Sequence, residues 1–232
     1  MINKEGLGER GLEALLALLD RHGDMNPDGY ALATDNGLFL RTLDITRFED
    51  FLCDNEEMLK KAQIVHFHFR NATSEVNEQN IHLWNIGGYY CSHNGVVFTH
   101  SRDVEKCDSL EYFRSVEDKI ASENWQAIAN DLPFTGVFML SRADWRKIVV
   151  ISSYKPIYVL NNASMTAFLS ADIIIKQAKE LYGIELSRDP MYHGTLKNAV
   201  LEIDVASGDY KIYKPVNANA VQEFKHPYLT YD

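Results

Sequence analysis

Leu12, Leu15, Leu16 and Leu19 recur three and four residues apart near the start of the chain. That period sets them on one face of a helix, so an amphipathic helix is the first predicted element. Gly23 and the turn Asn26-Pro27-Asp28-Gly29 close this region. Tyr30 to Thr34 and Leu38 to Leu43 read as strands joined by Asp35-Asn36-Gly37, a hairpin signal. Asp44 can cap a helix through Phe51, and a second helical piece is predicted from Glu56 to Lys61. Gln63 to Arg70, rich in β-formers, is the next strand, and the polar stretch Asn71 to Asn80 follows as a loop. Tyr89 to Ser92 and Val96 to Thr99 read as two strands pivoting on Asn94-Gly95, and helical pattern returns between Ser109 and Ala129.

The remainder is strand-rich: Val137 to Leu140, Lys147 to Ser152, Ile157 to Leu160 and Thr166 to Leu169. A helix over Ile173 to Leu181 and a last hairpin, Ala199 to Val205 with Tyr210 to Tyr213 about Ser207-Gly208, complete the series. Residues 215–232 have no period and read as an irregular C-terminal tail. Antiparallel hairpins and helices in separate runs predict an α+β fold rather than a doubly wound parallel sheet. Ile148 to Ile151 is apolar on both faces and therefore needs cover on both. Two stacked, mostly antiparallel sheets with helices outside meet that need. No linker-like stretch divides the chain, so residues 1–232 are expected to form one domain.

A net charge of −10 argues against non-specific nucleic-acid binding, which needs a basic footprint. No apolar run approaches the ~20 residues of a membrane span, and Lys4, Glu5, Glu9 and Arg10 interrupt the layout of a signal peptide. Cys53, Cys91 and Cys107 are an odd set without framework or metal spacing, as expected of reduced thiols in a cytoplasmic protein.

Three clusters could carry chemistry. In His66-Phe67-His68-Phe69-Arg70-Asn71-Ala72-Thr73, period-two alternation puts His66, His68 and Arg70 on one face. An arginine at a strand end suits a forked contact with a ligand carboxylate; a salt bridge to one of the many acids is the plainer alternative. In Ser92-His93-Asn94-Gly95, the Asn94 amide and the Gly95 N–H could serve as paired oxyanion donors, although Asn-Gly is also an ordinary turn. In Cys107-Asp108-Ser109, Asp108 could accept a ligand ammonium or simply cap the helix that follows. A rival use of the histidines is a zinc or iron site built from His66 and His68 with His82, His93 and Asp108.

In this order the clusters resemble class II glutamine amidotransferases, notably the small stand-alone ones of phage and bacterial genomes. The family pattern runs Asn-Pro-Asp-Gly-x-Gly, His-x-Arg-x-Ala-Thr, Asn-x-His-Pro, His-Asn-Gly, and then Asp-Ser or Asp-Thr before a helix. The matching positions are Asn26 to Ala31, His68 to Thr73, Asn80 to Leu83, His93-Asn94-Gly95 and Asp108-Ser109. Later echoes are Thr135 to Phe138, Lys155 to Tyr158 and Ser170 to Asp172. Each motif alone is common; five in register over about residues 10 to 213 are specific.

The resemblance implies the αββα sandwich of the N-terminal-nucleophile hydrolases. It also implies a pocket in which Arg70 holds the α-carboxylate of glutamine and Asp108 its α-ammonium. Asn94 and Gly95 form the oxyanion hole, with Ala72, Thr73 and His93 nearby. In the family the first residue of the mature chain is a cysteine, whose thiol attacks the amide and whose α-amine is the base. Here the chain starts Met1-Ile2-Asn3-Lys4, so that cysteine and most of the first strand are expected to be absent. Ser74-Glu75 replaces the family's His-Gly or Ser-Gly, and Leu83 its proline. The expectation is a pseudoenzyme that needs no cofactor or metal. It would keep a vestigial pocket for a glutamine-like molecule and act through a protein partner, without nucleic acid or membrane. The alternative is an active glutamine amidotransferase whose natural start lies upstream.

Overall fold

A computed structural model describes residues 2–3, 5–22, 26–98, 107–153, 158–161, 165–169, 187–188, 198–216 and 222–224. The elements in chain order are β1 (Ile2–Asn3), α1 (Gly8–His22), β2 (Tyr30–Thr34), β3 (Phe39–Thr42), α2 (Ile45–Asp54), α3 (Glu56–Lys61) and β4 (Val65–Phe69). A single 3-10 turn, Glu78–Asn80, precedes β5 (Trp84–Ile86) and β6 (Tyr89–Val97). Next come α4 (Asp108–Ser115), α5 (Glu117–Ala121), α6 (Trp125–Ala129), β7 (Phe134–Arg142), β8 (Lys147–Ser153), β9 (Tyr158–Asn161) and β10 (Met165–Leu169). The last strands are β11 (Ser187–Arg188), β12 (Ala199–Asp204), β13 (Tyr210–Tyr213) and β14 (Gln222–Phe224). The fold is α+β, and every strand pairing among the described residues is antiparallel. The chain divides into two compact units, 1–83 with 158–189 and 84–157 with 190–232.

The first unit carries the ladders β3-β2-β4 and β1-β10-β9-β11, with a single bridge between Ile2 and Ile64. Its core forms because Leu12, Leu15 and Leu19 share one face of α1 and meet Phe48, Leu52, Leu59, Tyr30 and Leu32. Asp44 caps α2 as predicted, its Oδ1 accepting from Thr46 N at 2.9 Å and Arg47 N at 3.4 Å. The helix then runs three residues past Phe51, the end read from the sequence. The predicted strand Gln63 to Arg70 is trimmed at both ends to β4.

The second unit is one seven-stranded sheet in the order β14-β13-β12-β8-β7-β6-β5. Helices α4 to α6 supply Phe113, Ile120, Trp125 and Ile128 to a core with Phe134, Phe138, Val149, Ile151 and Val200 of the sheet. As the sequence predicts, β8 is buried on both faces from Ile148 to Ile151. Four expectations change. The single helical stretch from Ser109 to Ala129 is three short helices: Val116, at φ −114° and ψ 12°, separates α4 from α5, and Glu123, with a left-handed φ of 53°, and Asn124, capping α6 through Ala127 N, separate α5 from α6. Strand β5 was not predicted; the Gly87-Gly88 turn, with φ of 57° and 82°, folds it onto β6. The C-terminal tail is not wholly irregular, since β14 adds to the edge at β13. The fourth is at Asn94-Gly95, described below. The helix expected over Ile173 to Leu181 lies outside the described residues.

Candidate functional site

Arg70 stands immediately after β4 with 3% of its surface exposed. Its backbone closes a corner: Arg70 N–H donates to Gly29 O at 2.8 Å, and Asp28 N–H donates to Arg70 O at 3.1 Å. The Asp28 carboxylate completes the staple by accepting from Ala72 N at 2.7 Å. The guanidinium donates from Nη2 to Ser74 Oγ at 2.9 Å and Glu75 O at 3.3 Å, and from Nη1 to Asp28 O at 3.5 Å. All three acceptors are neutral. The salt bridge weighed in the sequence is therefore absent among the described residues. A buried guanidinium whose hydrogen-bond acceptors among the described residues are all neutral is suited to an anionic ligand. Ala72 is half-buried, and Thr73 is exposed.

A second arginine fixes the rest of this loop. Arg41 Nη2 donates to Glu78 O at 3.1 Å, Gln79 O at 3.3 Å and Ile81 O, thereby capping the 3-10 turn. His82, next in the chain, stacks on His68 with ring centroids 3.9 Å apart. Arg41 and His68 both register opposite Ala31, so one row across β3-β2-β4 holds the loop at two points. Burial depresses the His66 imidazole to about 3, so it is neutral at physiological pH.

In the second unit Asn94-Gly95 is not a turn. Strand β6 runs through it without a break, and Gly95 registers opposite Gly136 of β7. The local turn signal loses to a cross-strand glycine pair. A Cβ on Gly95 would stand 1.9 Å from Thr135 O, and one on Gly136 would stand 2.2 Å from Asn94 O. Both glycines have positive φ, 156° and 134°. The His93 ring lies against this pair, with Nε2 2.8 Å from where either Cβ would be. It faces the helical layer, Nδ1 meeting Ser109 Oγ at 2.7 Å and the ring packing on Phe138 at 3.9 Å. Asn94, one residue on, leaves the opposite face of the sheet and is exposed.

Phe98 N–H donates to Pro133 O and Ala143 N–H to Gly88 O, both in the β6-β7 register. Such pairs alternate along an antiparallel ladder. The N–H groups of His93, Gly95 and Val97 therefore point away from β7, beyond the Trp84–Cys91 pair where β5 ends. Val97 N–H finds Asp108 Oδ2 at 2.8 Å, while Asp108 Oδ1 accepts from Ser109 N at 2.7 Å. The helix cap position falls to Cys107 rather than Asp108, whose carboxylate instead ties the start of α4 to β6. Gly95 N–H projects past the end of β5, as a backbone oxyanion donor needs to do.

Arg70, Ala72 and Thr73 belong to the first unit, and His93, Asn94, Gly95 and Asp108 to the second. The echoes at Lys155 to Ile157 and Ser170 to Asp172 lie outside the described residues. The sequence names Gly136 only within the echo Thr135 to Phe138, not as the partner of Gly95, and Ser74 and Glu75 only as departures from the family pattern, not as partners of Arg70. The available signals were the paired positions of Gly95 and Gly136 in neighbouring strands, and the departure from the family pattern at Ser74-Glu75. Cys91 is fully buried and its thiol is pushed up by burial, the reverse of an activated nucleophile. Among the described residues no three of His, Cys, Asp and Glu converge to hold a metal ion, so the rival histidine constellation is not assembled there. Among them, too, no helix is long and apolar enough to cross a membrane. No protein-family model matches this chain, and no curated protein matches it significantly.

Proposed function

We propose that this is a class II glutamine-amidotransferase-like domain, an αββα sandwich in its finer architecture, that binds a glutamine-like amino acid without hydrolysing it. The observation that carries the reading is Arg70: a buried guanidinium at a strand end, braced by the Asp28 turn and surrounded by neutral acceptors. A ligand carboxylate would add the negative charge that the described acceptors lack, and charge-assisted bonds are the stronger kind. The projecting Gly95 N–H gives separate support from the second unit. The lack of hydrolysis is supported by the thiols: Cys91 and Cys107 are buried, and Cys53 projects from α2 to solvent. Amide attack needs a nucleophile and base within hydrogen-bond reach of each other. The reading requires no cofactor, and a domain that binds without turnover acts through a protein partner.

The test is calorimetric titration with L-glutamine alongside an ammonia-release assay. The expected result is saturable binding, its loss in Arg70→Met, and no ammonia. Ammonia release by the purified chain would overturn the pseudoenzyme reading, and absence of binding would overturn the ligand. Release only after addition of Met-Cys and two apolar residues at the N-terminus would favour an active amidotransferase. Affinity capture followed by mass spectrometry identifies the partner.

A further inference from the structure

We propose that Ser74 sets the carboxylate affinity of the Arg70 corner by occupying, from within the chain, the guanidinium nitrogen that a carboxylate needs. This rests on the carboxylate-binding reading above. A guanidinium offers a carboxylate two forks, one across Nη1 and Nη2 and one across Nε and Nη2. Both run through Nη2. Here the two Nη2 hydrogens face Ser74 Oγ at 2.9 Å and Glu75 O at 3.3 Å, whereas among the described residues Nη1 has only the long 3.5 Å contact to Asp28 O. The chain therefore engages the nitrogen common to both forks.

The two acceptors differ in how readily they yield. Glu75 O is a backbone carbonyl that also accepts from Asn80 Nδ2 at 2.9 Å, and Asn80 is in turn held by Asn77. It is fixed by the loop. Ser74 Oγ is a hydroxyl on one rotatable bond and can turn away at little cost. It is also the nearer of the two. Ser74 is thus the group that an incoming carboxylate displaces, and its bond to Nη2 is subtracted from the affinity. Deleting the hydroxyl leaves one buried N–H of Arg70 without its acceptor in the free chain, a penalty that ligand binding then relieves.

This makes a linked prediction that an ordinary structural serine does not share. Ser74→Ala lowers the melting temperature of the chain alone, yet binds L-glutamine about tenfold tighter, equivalent to about 1.4 kcal/mol. Ser74→Thr keeps the hydroxyl and the original affinity. Ser74→Cys, with a weaker acceptor, tightens binding by less than Ser74→Ala, so the result does not hang on one variant folding. L-Glutaminamide, which lacks the carboxylate, serves as the control probe and is expected to show no dependence on residue 74. Equal glutamine affinity in the original chain and both the Ala and Cys variants overturns the role of Ser74 and leaves the carboxylate site standing. If no variant binds glutamine, or if glutaminamide binds as tightly as glutamine, the carboxylate site and the role of Ser74 fall together.

Discussion

The Gly95–Gly136 pair offers the sharpest test of how the second sheet is built. Gly136→Ala places a methyl group 2.2 Å from Asn94 O and 2.7 Å from Gly95 Cα, where real Cβ contacts essentially never fall below 3.0 Å. The Asn94 carbonyl must retreat by at least the difference, about 0.8 Å on these two distances. By the ladder alternation that carbonyl faces β7, so its retreat stretches a bond worth about 0.5–1.5 kcal/mol. Overpacking adds about 1–3 kcal/mol, and a side chain at a φ of 134° adds about 1–2 kcal/mol. The sum is about 2.5–6.5 kcal/mol. At about 2–4 °C per kcal/mol for a chain of this size, the melting temperature falls by about 5–25 °C. Two controls separate the causes. Gly37 has a φ of 96° but nothing within 4 Å of its would-be Cβ, so Gly37→Ala reports strain alone, about 1 kcal/mol. His93→Ala removes the ring but leaves the carbonyl, so Gly136→Ala/His93→Ala is expected to stay unstable. Urea unfolding followed by circular dichroism gives all four values. A loss below about 1 kcal/mol in Gly136→Ala, or near-full recovery in the double variant, would refute the backbone explanation.

Further outcomes follow from the same contacts. Asp44→Ala removes the α2 cap and is expected to cost about 1 kcal/mol in urea unfolding. His66 stays neutral in the folded chain down to about 3, while the unfolded chain takes up its proton near 6.5. Stability therefore falls as pH drops below 6.5, with a slope of about 1.4 kcal/mol per pH unit from this group; His66→Phe should flatten that limb. Lys147 bonds Glu123, and also Glu202 at 2.8 Å. Burial pulls the Glu123 carboxyl up, but bonds from Lys147 and Tyr89 outweigh it and hold it below its usual range. Lys147→Met is thus expected to cost about 2 kcal/mol at neutral pH, partial exposure limiting the figure. That difference is present above the unfolded carboxylate range and shrinks as acid protonates the carboxylate. Alkylation by iodoacetamide should modify Cys53 in the folded chain and Cys91 only after unfolding; rapid native labelling of Cys91 would contradict its burial.

What the sequence determined by itself is what short-range forces decide. The leucine spacing of α1, the Asp44 cap, the Asp35-Asn36-Gly37 hairpin and the two-faced burial of β8 each rest on residues within one element or its neighbour. Arg70 could be placed at a strand end from the β-forming run before it and the polar loop after it. That its guanidinium meets neutral acceptors among the described residues could not, because those acceptors include the Asp28 carbonyl on a turn 42 residues upstream. Asn94-Gly95 shows the same limit more plainly. The dipeptide favours a turn locally, but its glycine faces Gly136, about 40 residues on, across a ladder of nine pairs. Cooperative pairing over that length outweighs one dipeptide's preference. Strands β1 and β14 carry too few residues to show a period; β1 exists through β10, far along the chain, and β14 through the edge that β13 offers it. Tertiary structure alone decided which polar groups are buried and which acceptors they meet. Burial and hydrogen-bond satisfaction depend on every segment that closes around a residue, and no local pattern encodes them.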